Sequence, residues 1–324
     1  MYRIDDATAA TSLPTPETAG TEGYFTEGNP TAGTPATNVR GSWLNMIQEE
    51  LCAILAAAGI TRSKTTYTQV NSALQKMYGS VVGTARNLAM SVTAASATAT
   101  LSADLIVVST TLGAQTYVLP SFSKTINLAT TGAGGMDTGA APVSGFVALY
   151  AIYNPATGAS ALLAKNATSA VQPNVYGGAS MPAGYTASAL VSVWPTNGSG
   201  QFVIGLQCDR EVCLANNTVL STSSAQASLT SFSASAALPP NARTCRGDFT
   251  IGSSSASAGA NGVVSGSPGE VGRVALGATS ATAGATTVVS FPHVAIQTPQ
   301  TLYYRASVSA GTLNFLVNIT AYTF

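Results

Sequence analysis

Between residues 42 and 58 the apolar positions Leu44, Ile47, Leu51, Ile54 and Ala58 recur at steps of three, four, three and four. That spacing gathers them on one face of a helix and forms a heptad seam. Ser42 can cap this helix and Gly59 can end it. A second apolar stripe, Tyr67, Val70, Leu74 and Met77, follows the same steps. Thr66 and Gln69 fit a capping box ahead of it, and Gly79 fits the stop. The two stripes can face each other in a hairpin, or they can meet copies of themselves around a symmetry axis. An isolated coiled coil usually takes about three to four heptads, so the helices alone favour the hairpin.

From residue 80 the period changes to two. Runs such as DLIVVST (104–110), QTYVL (115–119), FVALYAIY (146–153), ALVSVW (189–194), TVVSF (287–291) and LNFLVNITAYTF (313–324) read as strands. In the last, Leu313, Phe315, Val317 and Ile319 point one way, and Asn314, Asn318 and Thr320 the other. Turns rich in Gly and Pro separate the runs, and no helix-length pattern lies between them. This predicts a mainly β fold of antiparallel, sandwich-like domains. The β region is long for one sandwich, and a Thr- and Ser-rich join near 215–230 offers a boundary. The expected organisation is a leader (1–42), a helical segment (43–79), a first β domain (80–215) and a C-terminal sandwich-like tip domain (216–324).

The leader holds Pro14, Pro16, Pro30 and Pro35 among Gly and Thr. Proline fixes φ and lacks an N–H, so the segment reads as extended or turn-like. Its polar composition allows a disordered tail. The adjacent aromatics Tyr24 and Phe25, with Ile4, argue that it docks on a surface.

Charge narrows the function classes. Lys plus Arg and Asp plus Glu are 13 each, so the net charge is zero, and charged residues are 8% of the chain. A nucleic-acid partner needs a basic patch to neutralise phosphates, and none is visible. Nearly half the charges lie before residue 80, which leaves the β region with a neutral surface suited to association. The N-terminus MYRIDDATAA lacks the apolar core of a secretory signal. No apolar run approaches the ~20 residues that span a bilayer. The reading is therefore a chain made in a reducing cytosol, with Cys52, Cys208, Cys213 and Cys245 as free thiols, no metal and no cofactor.

Candidate chemistry is sparse. The acidic residues of the β region are Asp104, Asp137, Asp209, Glu211, Asp248 and Glu270. A glycosidase needs two carboxylates across one scissile bond, and nothing local pairs these. Asp209, Arg210 and Glu211 read as a surface or interface ion-pair cluster. The single histidine, His293, sits in an apolar run and reads as packed, without a nucleophile beside it. GAGG at 132–135 lacks the Lys-Ser/Thr of a phosphate loop and reads as a turn.

Several stretches together resemble the tail fibres of tailed bacteriophages. MYRIDD, TEGYFTEGNP and a helical segment ending in AGI resemble their N-terminal region. GAGGMDTGAAPVSGFVALYAIYNPATG, MPAGYTASALVSVWPTNGSGQF, SLTSFSASAALPPNART and LYYRASVSAGTLNF resemble their β domains. The resemblance implies a homotrimeric, non-enzymatic part of the virion tail. Its N-terminus attaches to tail or baseplate proteins, and its β domains bind a glycan or protein receptor on the bacterial surface. No nucleic acid and no membrane insertion are implied. Under this resemblance Tyr24 and Phe25 become tail anchors, and Leu44, Ile47, Leu51 and Ile54 become the seam of a threefold bundle. Ser254, Ser255 and Asn261, in the stretch 252–270 without a strong strand pattern, become a candidate receptor loop. The alternatives are a tail-associated enzyme that degrades surface polysaccharide, or a baseplate protein without receptor contact.

Overall fold

A computed structural model describes residues 2–324, and the chain divides into two compact units at Gly79 and Ser80. The first unit holds an extended leader and two helices, α1 (Gly41–Ala57) and α2 (Gln69–Met77), which pack together. Among the described residues no leader side chain is buried. A 3-10 turn at Pro30–Ala32 is capped by Asn29, whose side chain accepts from the N–H groups of Thr31 and Ala32. Ion pairs tie the leader to the helical segment, with Lys64 on Asp5 at 2.7 Å and Arg3 on Glu49.

The stop signals Gly59 and Gly79 fall just past the helix ends, and the start signals shift. Gly59 ends α1 as expected. It takes φ +64°, and the N–H groups of Gly59 and Ile60 bond back to the carbonyls of Ala56 and Leu55. This closes the last turn with the left-handed residue that glycine adopts without strain. Ser42 is not the cap. Arg40 occupies that position without a side-chain bond, and the Ser42 hydroxyl donates to Glu17 at 2.9 Å. α2 starts after Thr68, and Thr66 does not cap it. Gln69 instead turns back to the linker, accepting from Ser63 N–H at 3.0 Å and donating to the Thr61 carbonyl at 2.7 Å.

The second unit is all β. Its strands are β1 (Ala85–Arg86), β2 (Ala89–Val92), β3 (Thr98–Ser109), β4 (Thr116–Asn127), β5 (Phe146–Tyr153), β6 (Ser160–Asn166), β7 (Ala187–Pro195) and β8 (Gly205–Cys208). They continue as β9 (Glu211–Thr222), β10 (Gln226–Ser233), β11 (Thr244–Ser253), β12 (Gly259–Ser265), β13 (Val274–Thr279), β14 (Thr286–Ala295), β15 (Thr301–Val308) and β16 (Leu313–Thr323). The large sheet runs β14-β11-β16-β9-β8-β2-β3-β7-β5-β6, with β1 and β4 also paired to β3. The small sheet runs β10-β15-β12-β13. Every ladder between these strands is antiparallel.

The expected division at 215/216 falls inside β9. That strand pairs with β8 on one side and β16 on the other, so one sheet passes through the proposed boundary and residues 80–324 form one unit. The polar residues that suggested a linker lie in the ladder. Thr218, for example, pairs with Asn318 and donates its hydroxyl to that side chain at 2.7 Å.

Burial follows the alternation. On β16, Leu313, Phe315, Val317 and Ile319 are buried as expected. They share a core with Phe249 and Ile251 of β11, and with Val264, Leu302, Tyr304 and Ala306 of the small sheet. The small sheet thus packs face-on against part of the large one, the sandwich arrangement. Gly262 of β12 marks a close approach, since a Cβ there would lie 2.9–3.0 Å from Phe315, Ile251 and Phe249. β5 is buried on both faces, which explains its unbroken apolar run. Val147, Leu149 and Ala151 join the main core, whereas Ala148, Tyr150 and Ile152 pack with Leu163, Leu190 and Tyr176.

The stretch 252–270 is not an open loop. Gly259–Ser265 forms β12, paired on both sides with β13 and β15. Its glycines and alanines serve close packing, and small residues of this kind look like loop in a linear reading.

Candidate functional site

In the first unit the two leader aromatics part company. Phe25 meets Trp43 of α1 edge-on, with centroids 4.9 Å apart, whereas Tyr24 is 98% exposed. Both line an open groove of about 890 Å³, together with Leu13, Pro16, Trp43 and Met46.

The expected seam residues are not the fully buried residues of α1. The buried face of α1 is Cys52, Leu55 and Ala58, and that of α2 is Gln69 and Ala73. Leu44 and Ile47 are exposed, and Leu51 and Ile54 are half-buried. Of the expected stripe on α1, Ala58 alone is buried; on α2, Tyr67 is 96% exposed. The hairpin forms with its buried face turned partly away from the heptad stripes, and it leaves Leu44, Ile47, Tyr67 and Leu74 of those stripes exposed.

In the β unit the three charges at 209–211 turn to three neighbours. Asp209, at φ +51°, accepts from Leu88 N–H. Arg210 donates to the Gly83 carbonyl at 3.0 Å and lies 5.1 Å over the ring of Phe324, and burial lowers its pKa. Glu211 pairs with Arg246 at 3.1 Å. The other carboxylates are engaged separately. Asp104 accepts from Asn87, Asp137 from Tyr176 at 2.8 Å, and Asp248 from Asn318 at 2.8 Å. Burial, and then the bond to Asp137, push the Tyr176 phenol up to about 12. His293 is exposed on β14, not packed as the apolar run suggested. All four cysteines are free thiols, and burial pushes Cys245 up to about 12. Among the described residues no group of His, Cys, Asp and Glu is placed to hold a metal. No helix is long and apolar enough to cross a membrane.

The candidate receptor residues separate. Ser254 and Ser255 lie in the turn after β11. Ser254 exchanges backbone and side-chain bonds with Thr312 at 2.8–3.0 Å, and Ser255 N–H donates to Ser253. These hydroxyls lock two turns together. Asn261 lies in β12, exposed on the outer face of the small sheet. Alternation puts Tyr303, Arg305 and Ser307 of β15 on that same face, because Asn261 pairs with Ser307, Val263 with Arg305 and Ser265 with Tyr303. Glu270 binds Arg305 at 3.1 Å and also pairs with Arg273. Partial desolvation pushes the Glu270 carboxyl up, but Arg273 and Arg305 together hold it below the usual range. The linear sequence does not show this cluster, because Arg305 lies far from Glu270 and Arg273 and comes beside them through the β12–β15 pairing.

The chain is thus a mainly antiparallel β protein with a helical hairpin, and its exposed functional candidates are surfaces rather than a cleft of reactive groups. No protein-family model matches it. It is 40% identical over 77 residues to the uncharacterized protein StfP of Escherichia coli strain K12. That match covers 24% of this chain and 35% of StfP. A Bacillus thuringiensis Cry1Da tryptic core variant aligns with 79% of this chain and 54% of its own, at 8% identity and a TM-score of 0.20. At that score the likeness carries no argument.

Proposed function

We propose that this chain is a subunit of a bacteriophage tail fibre that works by binding. It is a homotrimer that attaches to the tail or baseplate through residues 1–42 and meets the bacterial surface with its β unit. The observation that carries this reading is the contrast between the two units. Residues 80–324 bury a continuous core, whereas residues 2–79 bury only Cys52, Leu55, Ala58, Gln69 and Ala73. The first unit exposes Tyr24, Trp43, Leu44, Met46, Tyr67 and Leu74. Apolar surface of this extent on so small a unit is covered by other protein in a stable state. Copies of the chain are the partner for the α1 seam, and tail or baseplate protein is the partner for Tyr24 and its groove. A partial relative encoded by Escherichia coli fits a bacterial host.

Binding is favoured over polysaccharide cleavage because the carboxylates of the β unit are each tied to a different neighbour, with no pair held across an open groove. Incubation of the chain with intact host cells and their purified surface polysaccharide tests this. Saturable binding without new reducing ends or unsaturated products is expected. Release of either product assigns the enzyme reading instead.

A further inference from the structure

We infer that the outer face of the small sheet, centred on Tyr303 and Arg305, binds a carboxylate-bearing sugar chain. The inference rests on the reading of the β unit as a surface-binding module, and names the site and the ligand class within it.

Four features of the face carry the argument. Arg305 projects outward from the middle of β15, with its side chain 38% exposed, and Arg273 beside it is 47% exposed. The Glu270 carboxylate holds both guanidiniums, one on each oxygen. Each arginine is thereby oriented while most of its five N–H donors stay free, and an oriented guanidinium fork matches a carboxylate in two parallel bonds. Two arginines and one glutamate leave a single positive charge in a chain whose net charge is zero.

Tyr303 supplies the second feature. It lies two residues from Arg305 on the same face, while its neighbour Tyr304 is buried in the core. Tyr303 is partly exposed, and a partly exposed aromatic ring offers an apolar platform with a polar tip, suited to the C–H face of a sugar ring. Third, Asn261 and Ser307 extend the face beyond Arg305 with an amide and a hydroxyl for neutral sugar groups. Fourth, the strand beside β12 presents the small exposed residues Ala275 and Gly277 outward, while Val263, between Ala275 and Arg305, is covered. Exposed ion pairs stabilise a fold little, so the cluster is not what holds the small sheet in place.

The chemistry recognised is an anion beside a flat apolar ring. A carboxylated sugar meets both demands. A phosphate polymer meets only the first, and a neutral sugar only the second.

Calorimetric titration of the full chain tests this with three probes: hyaluronan tetrasaccharide, which carries glucuronate; chitotetraose, which is neutral; and poly(glycerol phosphate). The hyaluronan fragment is expected to bind at least tenfold more tightly than chitotetraose. Arg305→Gln and Tyr303→Ala should each weaken it at least tenfold, and Arg305→Lys should weaken it several-fold because the fork is lost while the charge remains. Rising salt should weaken it, as screening of an exposed charge requires. Arg243→Gln, outside the face, should change nothing, and equal melting temperatures verify that each variant folds. Equal binding of chitotetraose, or unchanged binding by folded Arg305→Gln, overturns the site. Tighter binding of poly(glycerol phosphate) that is indifferent to Tyr303→Ala overturns the sugar assignment. Adsorption of the chain to cells that survives Arg305→Gln removes this site and leaves the adhesive function standing.

Discussion

The ring of Tyr304 lies stacked on that of Phe315, with centroids 5.5 Å apart and planes inclined by 19°. One belongs to the small sheet and the other to the large sheet, so this contact is where the two faces of the β unit join. Both residues are buried, and Phe249 and Phe232 pack on either side of the pair. Phe315→Ala should cost about 3–5 kcal/mol, the range for losing a buried aromatic. Gly262→Val, which drives a side chain into the same contact, should cost about 1–3 kcal/mol by overpacking. Denaturant unfolding monitored on the β unit measures both. A loss below ~1 kcal/mol for Phe315→Ala means that the sheets do not pack as described.

Buried acids that stay neutral in the fold make the protein sensitive to alkali. Burial pushes the Cys245 thiol from its ordinary value of 9.0 up to about 12, and it drives Tyr322 upward as well. Above pH 9 the unfolded chain releases the Cys245 proton while the folded chain keeps it. Stability therefore falls as pH rises, by about 1.4 kcal/mol per pH unit for that one group, until the folded thiol itself ionises. The unfolding free energy should be flat from pH 7 to 9 and then drop steeply. Cys245→Ala should reduce the slope between pH 9 and 12 by about one proton. An unchanged slope in that variant removes Cys245 from the account.

The exposed first half of the stripe on α1, Leu44 and Ile47, makes a prediction about assembly. Leu44→Asp combined with Ile47→Asp places carboxylates where the proposed bundle excludes water, and charge buried without a partner is strongly disfavoured. In a monomer these two positions are exposed, and the change is nearly neutral. Light scattering of the full chain should give a trimer, and the double variant should dissociate or lose helix signal at lower temperature. A stable monomer before substitution contradicts the seam.

Tyr24 and Phe25 should behave differently, although they are adjacent. Phe25 has an internal partner in Trp43, so Phe25→Ala should loosen the leader and raise its sensitivity to proteolysis. Tyr24 makes no comparable ring contact, so Tyr24→Ala should leave the isolated chain unchanged. It should nonetheless reduce incorporation into particles, measured by immunoblot of purified virions. Full incorporation of the Tyr24 variant removes the anchor role.

Local patterns in the sequence carried well into the structure, and non-local ones did not. The steps of three and four located both helices, and the alternation along 313–319 named a buried row correctly. The Ser42 cap failed because its hydroxyl is taken by Glu17, 25 positions away. The boundary at 215/216 failed because a Thr-rich outer face of a paired strand has the composition of a linker. β12 was hidden for a related reason, since Gly262 must be small where the sheets approach and small residues weaken a strand signal. Glu270, Arg273 and Arg305 each look solvated when read alone. Glu270 and Arg273 pair locally, but the approach of Arg305 is a property of sheet register, and register is set by the whole core.

Adsorption competition tests the account most directly. Bacteria are incubated with increasing amounts of the purified full chain and then challenged with phage particles that carry the same chain, and the unadsorbed particles are counted. Saturable inhibition by the wild-type chain, with Tyr303→Ala and Arg305→Gln inhibiting at least tenfold less well, is the predicted result. Particles that adsorb at full rate at every concentration of the chain contradict the claim that its β unit binds the bacterial surface.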